Sequence, residues 1–180
     1  MWLDRFIDLT RGLGRVCDVG CGPGQVARYL YDHGVGDVFG IDLLAEMRAH
    51  AARLNPDIRF ERQDMLALDI PPETLGGIVA FYAIVHFSLD QVEQAFRRFE
   101  RVLRPGGYVL AAFHVGDEIR HVEELLGTAV DMDFAFFQPD EVIARFHAAG
   151  LKVLETTMHY PYEGVEVATT RAYILARRPA

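Results

Sequence analysis

Apolar residues change period along this chain in an orderly way. Trp2, Leu3, Phe6 and Ile7 fall on one helical face, so the chain opens with a short amphipathic helix. RVCDVG reads as a buried strand, and Pro23 is expected in the first turn of a helix running to about His33. DVFGID predicts a second strand, LLAEMRAHAARL a helix ending before Asn55-Pro56, and IRFERQ a third strand of alternating apolar and polar residues. GGIVAFYA is apolar throughout, as a strand covered on both faces is. LDQVEQAFRRFERVL is a long amphipathic helix expected to stop at Pro105-Gly106-Gly107, and YVLAAFHV a fifth strand. DEIRHVEELLGTAVDMDFAFF shows no clear period. A helix is expected from Pro139 to about Ala149, then two closing strands, LKVLETTMHY and ATTRAYILARR, with a turn near Pro161 to Gly164.

Alternating strands and helices specify a doubly wound α/β fold, a mostly parallel sheet with helices on both faces. The two final strands lack an intervening helix and must pair antiparallel, giving about seven strands closed by a C-terminal hairpin. A length of 180 residues fits one domain over 1–180, with a short helix in 1–12 and an insertion at 115–137. In open sheets of this kind ligands sit beyond the carboxyl ends of the strands. Those ends fall at Gly20 to Gly24, Asp42, Gln63 to Met65, Phe81 to His86, and Phe113 to Asp117.

Composition narrows the partners. The net charge of −8 weighs against a nucleic-acid backbone, which needs a basic face. The longest apolar run, IVAFYAIV, stops at His86, far short of the ~18 residues of a membrane span. MWLDRFID carries acids among its apolar residues, unlike a signal peptide, so a cytoplasmic protein with no membrane partner is expected. Cys17 and Cys21 are four apart, neither a redox pair nor a zinc site, and are expected as reduced thiols. Lys152 is the only lysine among 18 basic residues, a bias associated with GC-rich bacterial genomes.

The candidate chemistry centres on DVGCGPG. Glycines after a buried first strand let backbone approach a ligand closely, and the following helix offers free N–H groups to a carboxylate or other anion. Asp42, ending the second strand, can take both hydroxyls of a ribose. Gly22-Pro-Gly-Gln-Val-Ala27 fits the dinucleotide pattern G-x-G-x-x-A, which is weak alone. Asp18 favours a different ligand: a carboxylate beside the glycines repels a pyrophosphate and suits a tail bearing ammonium and sulfonium groups. Methionine joined to adenosine is such a molecule.

At this point the chain resembles a class I S-adenosylmethionine-dependent methyltransferase of the small, single-domain bacterial type. DVGCGPG resembles that family's first motif, GIDLLAEM the second, RQDMLALDIP the third, GGIVAFYAIVHF the fourth and LRPGGYVLAAF the fifth. The resemblance covers nearly the whole chain and implies a Rossmann-like fold, S-adenosylmethionine as cofactor and a small-molecule methyl acceptor. It assigns the cofactor to Asp18, Gly20, Cys21, Gly22, Gly24, Asp42, Leu43, Asp64, Met65 and Phe81, with Asp42 on the ribose, Asp64 on the adenine amino group and the Met65 backbone on the ring. FHVGDEIRHVEE and VDMDFAFFQPDEV resemble a substrate-side segment. Two departures stand out. Gly77 replaces an acid usual before the fourth motif, and the helical sequence that relatives carry ahead of MWLDRF is expected to be missing. The expectation is a reduced lid, or a cover supplied by a partner such as a second copy.

His33, His50 and His147 lie near helix ends, where a cation complements the dipole, and His159 is expected on the surface. Tyr82, His86, His114 and His121 are placed on the substrate side, with His86 as candidate general base and loop packing as the alternative for each histidine. His114, Asp117, Glu118 and His121 could be read as metal ligands, but the strand end at His114 and Gly116 break the helical spacing, and no metal is expected. Met132, Phe134, Phe136 and Phe137 are expected in the core or as an apolar cover over the substrate. The rival readings are a non-catalytic module that binds S-adenosylmethionine and a nicotinamide-dependent reductase.

Overall fold

The structure, a computed structural model, describes residues 2–125, 128–162, 164 and 167–180. The first half alternates α1 (Trp2–Thr10), β1 (Arg15–Val19), α2 (Gln25–Asp32), β2 (Val38–Asp42), α3 (Ala45–Leu54) and β3 (Arg59–Arg62). It continues with β4 (Leu75–Phe81), α4 (Leu89–Val102) and β5 (Leu103–His114). Then come β6 (Ile119–Leu125), β7 (Thr128–Ala135), α5 (Pro139–Ala148), β8 (Lys152–His159) and β9 (Arg171–Arg177). Single 3₁₀ turns stand at Met65–Ala67 and Ile84–His86. Among the described residues no helix is long and apolar enough to cross a membrane.

Seven strands form one sheet in the order β3-β2-β1-β4-β5-β9-β8. The first five are mutually parallel, and β9 runs antiparallel to both β5 and β8. From β1 the chain winds outward to β2 and β3 on one side and to β4 and β5 on the other. The direction of winding therefore reverses between β1 and β4, which opens a crevice at their carboxyl ends.

Strand side chains alternate between two cores, as a period of two requires. Cys17, Val19, Ile78, Ala80, Val109, Ala111 and Phe113 face a core completed by α4 and α5, where the rings of Phe96 and Phe146 stack 3.9 Å apart. Val16, Val79, Leu110 and Leu175 face the other, completed by Phe6 and Ile7 of α1, Leu30 of α2 and Ala51 of α3. Gly77 explains its own identity. A Cβ there would stand 2.6 Å from the Phe6 ring and 2.7 Å from Thr10 Cγ2, so the missing side chain is what lets α1 lie against β4.

The helix starts carry their own local signals. Ser88 caps α4 in a reciprocal box with Gln91, and Gln138 does the same for α5 with Glu141 ahead of Pro139. Three expectations need correcting. Helix α2 starts at Gln25 rather than Pro23, because Gly24 sits as its N-cap in the left-handed region at φ 86°. Helix α4 already ends at Val102; Leu103 pairs with Leu75, and the Pro-Gly-Gly segment lies within β5 as an irregularity before Tyr108 joins Gly77. The segment with no clear period is a two-stranded antiparallel hairpin, β6–β7, in which Ile119 pairs with Ala135 and Val122 with Met132. Its strands belong to a separate small sheet, apart from the seven-stranded one.

Candidate functional site

The crevice is floored by the loop from Gly20 to Gly24. All three of its glycines lie in the left-handed region, at φ 66°, 50° and 86°. The loop is stitched to β2, since Cys21 N–H donates to the Ile41 carbonyl at 3.0 Å and Gly24 N–H to the Cys21 carbonyl at 2.9 Å. A Cβ built on Gly20 would strike the Ala83 Cβ at 2.6 Å and come within 3.5 Å of Met65 Cε, so this glycine draws three strand ends together. A Cβ on Gly22 would meet nothing within 4 Å. Gly22 is therefore the part of the loop that faces open space.

Two carboxylates bracket this shelf. Asp42 accepts from Gly22 N–H through Oδ2 at 3.0 Å and from Leu44 N–H through Oδ1 at 2.9 Å. It thus locks the glycine loop to the start of α3 while remaining partly exposed. Asp18 lies beneath, only 2% exposed, with Oδ2 accepting from Ala27 N–H at 3.0 Å in the first turn of α2. Burial pushes its pKa up to about 7; the Ala27 hydrogen bond offsets part of that, and the negative charge of Asp42 adds to it. Asp18 thus satisfies a helix N–H while lying beneath the loop.

The third strand end adds Asp64, whose Oδ1 accepts from Leu66 N–H at 2.8 Å and caps the Met65–Ala67 turn. Leu43 is 55% exposed beside Asp42. At the fourth, Phe81 packs edge-on against Tyr173, 5.9 Å away, and Tyr173 in turn stacks on Trp2 at 6.2 Å. Tyr82 holds a left-handed backbone at φ 53°, an outlier for a bulky residue, fixed by its N–H donating to the Ala112 carbonyl at 2.8 Å. Sulfur chemistry is not offered: Cys17 and Cys21 are buried free thiols, each pushed well above the usual range by burial first and by Asp18 next.

The three substrate-side histidines part company. His114, at the end of β5, stands between the rings of Tyr82 (4.9 Å) and Phe136 (5.2 Å), with Nδ1 2.9 Å from Thr169 Oγ1. His86 is exposed; its Nδ1 lies 3.1 Å from the Asp133 carbonyl and its ring packs edge-on against Phe134 at 4.8 Å. His121 sits out on the hairpin, 2.9 Å from Asp133 Oδ1. Of the hairpin aromatics, Phe137 enters the core against Phe113, while Phe134 and Phe136 cover the two histidines. Two hollows flank the hairpin base. One, of about 440 Å³, is bounded by Val115, Gly116, Phe136 and Thr169; the other, of about 500 Å³, by His86, Phe87, Ile119 and Glu141. Sequence reasoning missed Thr169 and Tyr173 as neighbours of the site. Only the antiparallel return of β9 brings both to the strand ends, and no local motif marks it.

The family described as "Methyltransferase domain" matches residues 16–107, which run from β1 into β5 and include the whole glycine shelf. The chain belongs to this methyltransferase family. The methyltransferase domain is 29% identical over 115 residues to malonyl-[acyl-carrier protein] O-methyltransferase of Enterobacter lignolyticus, an alignment covering 64% of this chain and 45% of that protein. It is 36% identical over 109 residues to phosphoethanolamine N-methyltransferase 3 of Arabidopsis thaliana, covering 58% and 22%. The chain thus spans less than half the length of these curated relatives. The same fold occurs in a SAM-dependent methyltransferase of Methanosarcina mazei, with a TM-score of 0.81, 14% identity and 92% of each chain covered.

Proposed function

We propose that this methyltransferase domain binds S-adenosylmethionine on the glycine shelf and transfers its methyl group to a small molecule. One observation carries the reading: an open-faced, left-handed Gly22 flanked by a buried carboxyl group, Asp18, and a partly exposed one, Asp42, at the reversal point of the sheet. The residues fit the cofactor. Asp42, already spanning Gly22 and Leu44, has lone pairs left for two ribose hydroxyls. Asp18, with a pKa near 7, gains its charge readily when an ammonium group comes close. Asp64 would receive the adenine amino group, the Met65 backbone would meet the ring, and Cys21, Leu43 and Phe81 would complete the walls. A pyrophosphate would face two carboxyl groups, which disfavours a nicotinamide dinucleotide.

The bound cofactor supplies an electrophilic methyl group on a sulfonium. The protein's own task is alignment and exclusion of water. Helix α1, tied to α2 by the 2.6 Å hydrogen bond from Tyr29 to Asp4, reaches the end of β4 through Trp2, which stacks on the Tyr173 that packs against Phe81. The segment 115–137 forms the substrate side, and both hollows at its base are in the size range of small-molecule sites. Calorimetric titration with S-adenosylhomocysteine tests the binding half; incubation with methyl-labelled cofactor and a bacterial metabolite extract tests transfer. Tight binding with no labelled product would favour the non-catalytic module.

A further inference from the structure

The ends of β4 and β5 hold a second group of side chains, one strand further along the sheet from the glycine shelf. His114 is clamped there between Tyr82 and Phe136, half-buried, with Nδ1 engaged by Thr169 Oγ1. Among the described residues nothing hydrogen-bonds its Nε2. The hollow of about 440 Å³ opens beside it, sharing Phe136 and Thr169 with the clamp and bounded by Val115, the residue after His114. Resting on the methyl-transfer reading, we propose that His114 is the base that takes the acceptor's proton on Nε2, and that the acceptor is a small molecule whose nucleophile is an O–H or N–H group.

The step balances without any further reactant. The acceptor's lone pair forms the bond to the methyl carbon, and the electron pair of the breaking carbon–sulfur bond returns to sulfur as a neutral thioether. The acceptor's proton passes to Nε2 and then to water. For Nε2 to accept, Nδ1 must carry the ring proton and donate it to Thr169, which makes Thr169 a positioning residue.

The surroundings suit a neutral imidazole. Burial lowers the His114 pKa, and the cations Arg171, in register with it on β9, and Arg120, on β6, lower it further. Tyr82 is the other titratable group against the ring. Asp117 and Glu118 line the same hollow but are engaged by Gln138 and Arg120. His86 differs in its setting: it is exposed and borders the other hollow, whereas His114 is half-buried between two rings.

The test uses the whole chain, ¹⁵N-labelled and saturated with S-adenosylhomocysteine, with histidine side chains followed by NMR from pH 4 to 9. His114 is expected as the Nδ1–H tautomer with a pKa below the ordinary ~6.5. An Nε2–H tautomer at neutral pH, or protonation at or above that value, overturns the proposal. In the labelled-extract assay His114→Gln is expected to transfer 10²–10⁴-fold more slowly, roughly the span of general-base catalysis, with affinity for S-adenosylhomocysteine within about twofold of wild type. Thr169→Ser should keep the Nδ1–H tautomer and the rate; Thr169→Val should lose both. A wild-type rate in His114→Gln, or a product methylated on carbon or sulfur, overturns it. A wild-type protein that fails to bind S-adenosylhomocysteine removes the methyl-transfer reading and this proposal together; binding with an Nε2–H His114 removes the proposal alone.

Discussion

Asp18 is expected to make stability depend on pH and, under the proposed cofactor reading, affinity to depend on it in the opposite sense. Its folded pKa of about 7 lies above the ordinary carboxylate value of ~4. The folded protein therefore keeps a proton that the unfolded chain releases across that window, so this group's contribution is fully present below pH ~4 and is lost as pH rises to about 7. Asp18→Asn, which can still accept from Ala27 N–H, is expected to flatten the decline in denaturant-unfolding stability between those limits. Affinity for S-adenosylhomocysteine should instead rise toward pH 7 in wild type and lose that rise in the variant, as read by calorimetry at pH 5, 6 and 7. Asp42→Ala is expected to weaken binding by about 1.5–3 kcal/mol, the scale of charge-assisted hydrogen bonds, and an unchanged dissociation constant would take Asp42 out of the site. The glycines divide in the same way. Gly22→Val should fold with a loss of about 1–2 kcal/mol for its left-handed backbone and fail to bind, because its side chain enters empty space. Gly24→Val should not fold normally, its Cβ falling 2.8 Å from the Phe60 ring and 2.9 Å from Asn55 Nδ2; thermal melting of both variants separates the two cases.

Among the elements, those that bury an apolar face were legible and those that do not were hidden. Strand β4 is buried over six of its seven residues, and its uninterrupted apolar run gave it away. The glycine loop and Asp42 were legible as places in the fold, because a glycine-rich turn after a buried apolar strand marks that strand's carboxyl end, where the structure puts them. The hairpin was not, because IRHVEEL has no strict alternation and its strands pair only with each other, in a small sheet apart from the main one. Tyr82's left-handed backbone is likewise imposed from outside, by Ala112 across the sheet. The hairpin's attachment is specific enough to test. His86 joins it through the Asp133 carbonyl and Phe134, and Asp117 through Gln138. His86→Ala is expected to speed hydrogen–deuterium exchange across 128–135 while leaving β1, β4 and β5 protected, since none of the main cores includes His86. Unchanged exchange in the hairpin would show that the remaining contacts hold it alone.

At the scale of the whole molecule, the order β5-β9-β8 has a consequence for how the protein is made. The parallel half from β1 to β5 has left the ribosome long before Arg171 does, yet one edge of β5 stays unpaired until β9 slides in between it and β8. Ala172, Ile174, Leu175 and Ala176, all fully buried, are the side chains that seal both cores at that edge. During synthesis the nascent chain thus carries an open, apolar strand edge through the translation of more than fifty residues, the interval in which such edges recruit chaperones or stick to one another. A chain ended after Thr170 is expected to stay in that condition permanently, going to the insoluble fraction or to protease while the full chain does not; a soluble, protease-resistant product would show that β1 to β5 fold as a self-sufficient unit. Completion of this fold is a timed event, set by the arrival of its last strand.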